Sequence, residues 1–151
     1  MRLLAIGRGK PGPEAELFAR YAARIKPNMA LQEFNDGVGA AVEIKRREAE
    51  TLLAAIGPQD FVVALDAGGK TPDSLDLAKM LTGWTETAKK LTFVIGGAEG
   101  LDASVIARAD AVLSLGRLTW PHMLVRPMLA EQIYRAQMIK SGHPYHRAGR
   151  P

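Results

Sequence analysis

Apolar residues occur along this chain in two kinds of segment. Short, mostly apolar runs predict five strands, at residues 2–6, 31–34, 61–65, 91–95 and 111–115. Longer segments with helical spacing and with helix start and stop signals predict five helices, at residues 13–25, 41–56, 74–85, 103–108 and 121–140. Strand and helix alternate throughout. The sequence therefore predicts an α/β fold, with one domain over residues 1–151 and a mostly parallel sheet flanked by helices.

Two segments indicate how the elements pack. The run at 61–65 contains no polar residue, which is typical of a strand buried on both faces of a parallel sheet. The last predicted helix places apolar residues on one face, namely Val125, Met128, Leu129, Ile133, Ala136 and Ile139. That face is expected to pack against the sheet or against another subunit. For Trp120, Met123 and Met128, the pattern favours core packing over a base-stacking or cofactor surface.

Length and composition exclude several classes of protein. With 151 residues, 47% of them hydrophobic, the chain can form one sizeable core. It contains no apolar run of 18 residues and no signal-peptide pattern at its start, so we expect a cytoplasmic protein without a membrane partner. The absence of cysteine excludes disulfides, thiol nucleophiles and thiolate metal sites.

The net charge of +4 is unevenly distributed. Residues 117–151 hold six cationic side chains against Glu131 alone, a balance of +5, whereas the other 116 residues sum to −1. Cations that contact phosphates supply sequence-independent affinity for RNA, so the basic segment favours an RNA partner. The alternative is a solvated helix face followed by a loose tail.

Glycine-rich or polar loops follow three of the predicted strands. They contain Gly68-Gly69, the segment Gly96-Gly97-Ala98-Glu99-Gly100, and the residues from Leu115 to Trp120. Ligands of open α/β sheets bind outside the carboxyl ends of the strands, so these loops predict a ligand cleft. The loop at 96–100 lacks the order of a nucleotide phosphate loop. Its bare backbone instead suits main-chain hydrogen bonds to an adenine edge or a ribose.

The sequence gives little support for a hydrolase or a metal site. We find no serine-nucleophile motif, no zinc-protease motif and no plausible pair of catalytic carboxylates. His143 and His146 have a spacing compatible with metal binding, but no further ligand accompanies them, so no metal site is predicted. The remaining interpretation is group transfer between bound ligands.

The loops and the tail carry a resemblance to a known family. The segments are FVIGGAEGL at 93–101, LSLGRLTWPHMLVRPMLAEQIYRA at 113–136 and HPYHR at 143–147, together with LLAIG at 3–7 and LDAGGK at 65–70. In these segments the chain resembles the RlmH (YbeA) family of the SPOUT superfamily. The resemblance implies transfer of a methyl group from S-adenosylmethionine to N3 of a pseudouridine in helix 69 of 23S ribosomal RNA, in the assembled ribosome. It also implies a homodimer and a trefoil knot in the carboxy-terminal half.

The same resemblance implies roles for individual residues. The S-adenosylmethionine pocket would be formed by Leu65, Gly96, Gly97, Leu115, Gly116, Arg117, Leu118, Thr119 and Trp120. The tail residues His143, Pro144, Tyr145, His146 and Arg147 would reach the partner's cofactor site, with His143, Tyr145 and Arg147 contacting the RNA. This chain departs from the family in continuing for four residues past Arg147, and in a shorter, less basic loop at 35–40.

Transfer to a pseudouridine N3 requires that its weakly acidic proton be removed or that the resulting anion be stabilised. His146 or His122 is a candidate proton acceptor, and Arg147 a candidate for stabilising the charge or, as we favour, for contacting an RNA phosphate. For His122, at a helix start, a capping or packing role is favoured. Two rival functions stay open: a non-catalytic RNA-binding protein, and an enzyme of the same superfamily that methylates a tRNA base.

Overall fold

The computed structural model describes residues 1–88 and 90–147. Five strands alternate with five helices along the chain. The strands are β1 (Arg2–Ile6), β2 (Ala30–Phe34), β3 (Asp60–Lys70), β4 (Lys90–Ile95) and β5 (Ala111–Leu113). The helices are α1 (Pro13–Ala22), α2 (Ala41–Ala55), α3 (Ser74–Thr87), α4 (Ala103–Arg108) and α5 (His122–Lys140). In this described part, no helix is long and apolar enough to cross a membrane.

The strands form a single sheet in the order β2-β1-β4-β3-β5, and every neighbouring pair is parallel. The predicted α/β fold with a parallel sheet is therefore confirmed. In a parallel sheet all strands end at the same edge, so the loops that follow them lie together. The strand order places the loop after β4 between the loops after β1 and β3.

Helices cover both faces of the sheet. On one face α1, α3 and α5 bury side chains such as Leu3, Val63 and Phe93. On the other face α2 and α4 cover Leu4 and Val62, together with the remaining inward residues of those strands. Successive residues of β1 and β3 thus enter opposite cores, as the period of a strand requires. This confirms that the run at 61–65 is buried on both faces.

Most element boundaries lie within two residues of those predicted, and the larger differences are at the ends of α1 and β3. Helix α1 ends at Ala22 rather than at residue 25. Strand β3 extends to Lys70, through the predicted loop, because Lys70 pairs with Leu113 of β5 after an irregular stretch in β3. Gly69 permits this pairing, since a Cβ there would lie 2.7 Å from the backbone of Val112.

Strand β5 ends at Leu113, two residues before the predicted end. The backbone N–H of Ser114 donates to the Lys70 carbonyl at 2.8 Å, and its hydroxyl donates to the Gly116 carbonyl at 2.9 Å. These two bonds turn the chain out of the sheet at Ser114. The turn starts the loop that leads to α5, where the sequence placed its candidate chemistry.

Candidate functional site

A cavity of about 220 Å³ opens at the carboxyl ends of β3, β4 and β5, beside the start of α5. The predicted cofactor residues that line it are Leu65, Gly96, Gly97, Leu115, Gly116, Leu118, Thr119 and Trp120. Arg117 is the exception, because its side chain is exposed and does not line the cavity. Two of the three loops singled out in the sequence, those after β4 and β5, thus meet at one site. The third, which contains Gly68-Gly69, is part of β3, and that strand contributes residues 65–67 to the cavity instead.

His122, a candidate proton acceptor in the sequence analysis, also borders the cavity, as do Asp66, Ser114 and Val125, which were not predicted. Asp66 directly follows the apolar run at 61–65, which is the signal that could have identified it. Ser114 lay inside the predicted strand 111–115, so it carried no such signal. Val125 belongs to the apolar face of α5, and its position at the site depends on how that helix packs.

The glycine-rich loop after β4 is folded tightly on itself. Gly97 and Gly100 form an isolated antiparallel bridge, with the Gly100 N–H donating to the Gly97 carbonyl at 3.1 Å. A Cβ on Gly96 would lie 2.7 Å from the backbone of Gly100. A side chain at Gly96 would therefore open the loop. The tight fold presents backbone atoms, unobstructed by side chains, to the cavity.

Gly116 contributes to the opposite wall. Its φ of 116° lies in the region that strongly favours glycine. A residue with a side chain would be strained there, so the loop between β5 and α5 depends on this glycine for its path. The backbones of Gly96 and Gly116 both border the cavity.

The mouth of the cavity is apolar and exposed. Leu118 is 69% exposed and Trp120 is 37% exposed, so the expectation that Trp120 packs in the core is wrong. The cavity volume falls below the roughly 300–1,000 Å³ that is usual for ligand sites. A ligand larger than the cavity therefore extends over its mouth, where Leu118 and Trp120 offer apolar contact. Large apolar side chains exposed beside a cavity are typical of a ligand site.

His122 is a lining residue with an unusual environment. The Nε2 atom of its imidazole is buried and, among the described residues, has no hydrogen-bond partner. It lies 2.8 Å from where a Cβ on Gly7 would be. In the part of the chain that the structure describes, no side chain caps the start of α5, whose N-cap residue is Pro121. Of the two roles favoured for His122, capping is therefore wrong, whereas packing agrees with the position of its ring against Gly7. A buried polar atom without a partner calls for an explanation, and a ligand in the neighbouring cavity would be one.

The carboxy-terminal tail packs against its own chain. The Tyr145 hydroxyl donates to Glu131 at 2.9 Å and lies 3.3 Å from the Tyr21 hydroxyl, and its ring meets Tyr134 edge-on at 4.8 Å. Burial, followed by the hydrogen bonds with Tyr21 and Glu131, raises the pKa of Tyr145. The tyrosine therefore stays neutral and holds the tail against α1 and α5.

Other tail residues show mixed exposure. His143 is exposed and its Nδ1 accepts the Tyr145 N–H at 3.1 Å, whereas Nδ1 of His146 is buried without a partner among the described residues. Arg147 is exposed. None of these residues lines the cavity of its own chain. The four residues after Arg147 lie outside the described residues.

The basic carboxy-terminal segment is less available than its charge count indicates. Arg126 is only 4% exposed, and Arg135 bonds to Glu131, which raises the pKa of the Arg135 guanidinium. The exposed cations in the described part of this segment are Arg117, Lys140 and Arg147. The sixth, Arg150, falls outside the described residues. Binding of RNA phosphates along this segment would therefore rely on fewer side chains than predicted.

Comparison of the sequence with known proteins supports the expected family. Residues 1–146 match the family described as "Predicted SPOUT methyltransferase". The "Ribosomal RNA large subunit methyltransferase H" of Acidiphilium cryptum is 60% identical over 151 residues, covering 100% of this chain and 96% of that protein. The protein of the same name from Gluconacetobacter diazotrophicus is 56% identical, covering 100% of this chain and 99% of its own length.

Among solved structures, the SpoU methyltransferase AviRb from Streptomyces viridochromogenes, in complex with the cofactor AdoMet, is similar with a TM-score of 0.51 and 14% identity. The similarity covers 91% of this chain and 58% of that one, and it supports the fold alone. The match over nearly the whole chain and the identities above establish the family. The chain belongs to the SPOUT methyltransferases, and the resemblance to their RlmH branch is confirmed.

Proposed function

We propose that this protein is an S-adenosylmethionine-dependent methyltransferase of the large ribosomal subunit, acting on N3 of a pseudouridine in helix 69 of 23S ribosomal RNA. The observation that carries the proposal is that the loops after β4 and β5 converge with residues 65–67 of β3 on one cavity at the carboxyl edge of a SPOUT-type sheet. Relatives that match the full chain are named as large-subunit ribosomal RNA methyltransferases, which supports the substrate class. Action on ribosomes would place the protein in the cytoplasm.

The residues present fit S-adenosylmethionine. Backbone groups of the Gly96-Gly97 loop and of Leu115 and Gly116 are free to hydrogen-bond an adenine or a ribose, because no side chain at the glycines obstructs them. Leu65 in the wall and Leu118 at the mouth supply apolar contact. When bound, this cofactor supplies an electrophilic methyl group on a sulfonium sulfur. We assign to S-adenosylmethionine binding the residues that the sequence predicted for this pocket, with the exception of Arg117.

Methyl transfer also requires that a group of the protein accept the proton on N3 of the acceptor or stabilise the resulting anion. His122 lines the cavity, and its buried Nε2 has no hydrogen-bond partner within residues 1–88 and 90–147. His146 does not line the cavity of its own chain, so its assignment as a base depends on a second copy. Within one chain, His122 is therefore the stronger candidate for holding or accepting the proton. Arg147, exposed at the end of the tail, is assigned to an RNA phosphate.

Single-turnover methyl transfer by His122→Ala and His146→Ala separates these two assignments. We expect a loss of about 10²–10⁴-fold for the residue that acts as base, which is the usual contribution of general base catalysis. An unchanged rate for His146→Ala would remove His146 from the chemistry, and the same result for His122→Ala would remove His122. Equilibrium binding of S-adenosylmethionine serves as the control, because loss of the cofactor would mimic loss of the base.

A homodimer is part of the proposal. A groove of about 400 Å³ runs between α1 and α5 and includes the apolar side chains of Leu17, Leu124 and Met128. The tail lies next to this groove, because Tyr145 packs on Tyr21 of α1. A second copy seated here would bring the tail of each chain towards its partner. Sedimentation at micromolar concentration tests this, and a monomer would contradict it.

The trefoil knot also stays a proposal. Its support is the close passage of the chain at the end of β3, where Lys70 bonds to Ser114, and the packing of α5 against both α1 and α3. Knots are rare in proteins, so local pattern alone could not predict one.

Transfer of a labelled methyl group tests the function as a whole. The acceptors are assembled ribosomes lacking the modification, free 23S RNA and tRNA, and the labelled nucleoside is then identified. We expect label in 3-methylpseudouridine from the ribosomes. Label in tRNA would support S-adenosylmethionine as the methyl donor but would identify tRNA, not ribosomal RNA, as the acceptor. RNA binding without any transfer would favour the non-catalytic rival.

A further inference from the structure

A second cavity, of about 640 Å³, lies at the same edge of the sheet. It is enclosed by the loop after β1, the start of α1, strand β2 and the first turns of α5. We propose that this cavity binds a nucleotide of the RNA that flanks the acceptor, an inference that rests on the proposed function. It is distinct from the tail, to which the sequence interpretation assigned RNA contact.

The position of the second cavity, beside the cofactor cavity but separated from it, suits a nucleotide that flanks the acceptor. Because β1 neighbours β4, the loop after β1 lies beside the glycine-rich loop of the cofactor cavity. His122 lines the first cavity and Met123, the next residue, lines the second. A Cβ on Gly7 would lie 2.8 Å from Nε2 of His122 and 3.0 Å from Cε of Met123. The wall between the cavities is therefore about one side chain thick.

The lining of the second cavity matches a nucleotide. Arg8 and Lys10 place two exposed cations at it, where a phosphate group of the RNA backbone would be attracted. Phe18, Leu31 and Met123 also line the cavity and provide apolar contact for a base. Its volume lies within the roughly 300–1,000 Å³ of small-molecule sites.

A buried cation gives the cavity a fixed inner wall. The guanidinium of Arg126 donates to the carbonyls of Ile6 and Gly7 at 2.7 and 2.6 Å and forms an ion pair with Glu33. Its Nε–H is buried and lacks a partner among the described residues. Glu33 also accepts the Gly9 N–H at 2.8 Å, which holds the loop after β1 in place. These contacts fix the wall of the cavity at Arg126 and Glu33, so the loop that carries Arg8 and Lys10 has a defined position.

Filling the cavity tests the inference. Ala15 lines it from the exposed side of α1, so Ala15→Trp places a large side chain in the cavity without disturbing the core. Ala19→Trp, one turn further along the same helix and also exposed, is the matched control. We expect Ala15→Trp to lower kcat/KM for ribosomes by about 100-fold, the scale of loss from misplacing a substrate, while the Kd for S-adenosylmethionine is unchanged.

Binding of RNA is measured separately, with assembled ribosomes in the presence of S-adenosylhomocysteine. Ala15→Trp should weaken this binding, and Ala19→Trp should not. Lys10→Gln should reduce the slope of log binding constant against log salt concentration by about 1, as loss of one phosphate contact predicts. This readout keeps the inference testable if Ala15→Trp is poorly folded.

Several results would overturn the inference. One is binding and transfer by Ala15→Trp equal to that of Ala19→Trp, and another is an unchanged salt slope for Lys10→Gln. A monomeric Ala15→Trp protein with unchanged RNA affinity would assign the cavity to an interface between copies instead. The proposed function fails in a different way, when the wild-type protein binds ribosomes but transfers no methyl group to them.

Discussion

The carboxylate of Glu48 lies directly behind Gly97, with both its oxygens 2.9 Å from the position that a Cβ on Gly97 would take. Glu48 is only 5% exposed, and its Oε1 accepts the Gly37 N–H at 2.9 Å. Its Oε2 has no partner among the described residues. One buried side chain of α2 therefore joins the loop after β2 to the glycine-rich loop at the cofactor cavity. The shape of one loop depends on the position of the other through this contact.

The loss of stability on replacing Glu48 should depend on whether the new side chain can still accept the hydrogen bond from the Gly37 N–H. Glu48→Ala should lower the free energy of unfolding by about 1–3 kcal/mol, because the Gly37 N–H loses its acceptor. Glu48→Gln keeps an acceptor there and should cost less. Urea unfolding measures both. Glu50→Ala on the same helix, where the side chain is exposed, is the control. Equal stability of Glu48→Ala and Glu50→Ala would contradict the prediction.

Gly96→Ala should impair cofactor binding. Its new Cβ would meet the backbone of Gly100, which cannot move as a flexible side chain can, so the loop must open. We expect a higher Kd for S-adenosylmethionine by titration calorimetry. Gly83→Ala is the control, because no atom of the described part of the chain lies within 4 Å of a Cβ there and the site is inside α3. That control should raise stability by about 0.5–1 kcal/mol and leave the Kd unchanged. Similar Kd values for both variants would show that the loop tolerates the methyl group.

Asp60 should contribute to the acid sensitivity of the fold. Burial by itself would raise the pKa of Asp60, but hydrogen bonds from Arg2, the Gly57 N–H and Thr92 outweigh it, and the pKa is lowered. A lowered pKa stabilises the folded state above the unfolded value of about 3.9, and this contribution is lost as pH falls through the folded pKa.

The free energy of unfolding should therefore fall below about pH 4 in the wild-type protein and fall less steeply in Asp60→Asn. Denaturant unfolding at a series of pH values measures the two slopes. Glu86→Gln, which alters an exposed carboxylate of α3, should follow the wild type. Identical slopes for Asp60→Asn and the wild type would show that Asp60 does not contribute.

Arg126 should be essential to stability as well as to the shape of the second cavity. Arg126→Ala leaves the partly buried Glu33 unpaired and two backbone carbonyls unbonded, at a cost of about 3–5 kcal/mol for a broken buried pair. Arg126→Lys should restore little, since an ammonium lacks the planar fork that meets three acceptors. Thermal unfolding against Arg117→Ala, an exposed position, measures the effect. A Lys variant as stable as the wild type would contradict this account.

Much of the fold was predictable because it depends on neighbouring residues. Apolar runs and helix signals located all ten elements, and the uninterrupted run at 61–65 identified a strand buried on both faces. The misplaced boundaries have distant causes. Strand β3 continues to Lys70 because of its pairing with Leu113, and β5 ends where the Ser114 N–H donates to the Lys70 carbonyl. Neither contact is encoded in the composition of the local segment.

The candidate site, like the fold, was only partly predictable from the sequence. The loops around Leu65, Gly96 and Gly116 were identified from the sequence, because parallel strands deliver the loops after them to one edge. The environments of His122, Arg126 and Glu48 were not, although the residues themselves are plain in the sequence. Whether a titratable side chain is solvated, paired or buried without a hydrogen-bond partner depends on which distant segments pack around it. Local pattern is thus sufficient for the elements and for the edge where ligands bind, whereas burial and partners are decided by contacts between residues far apart in the chain.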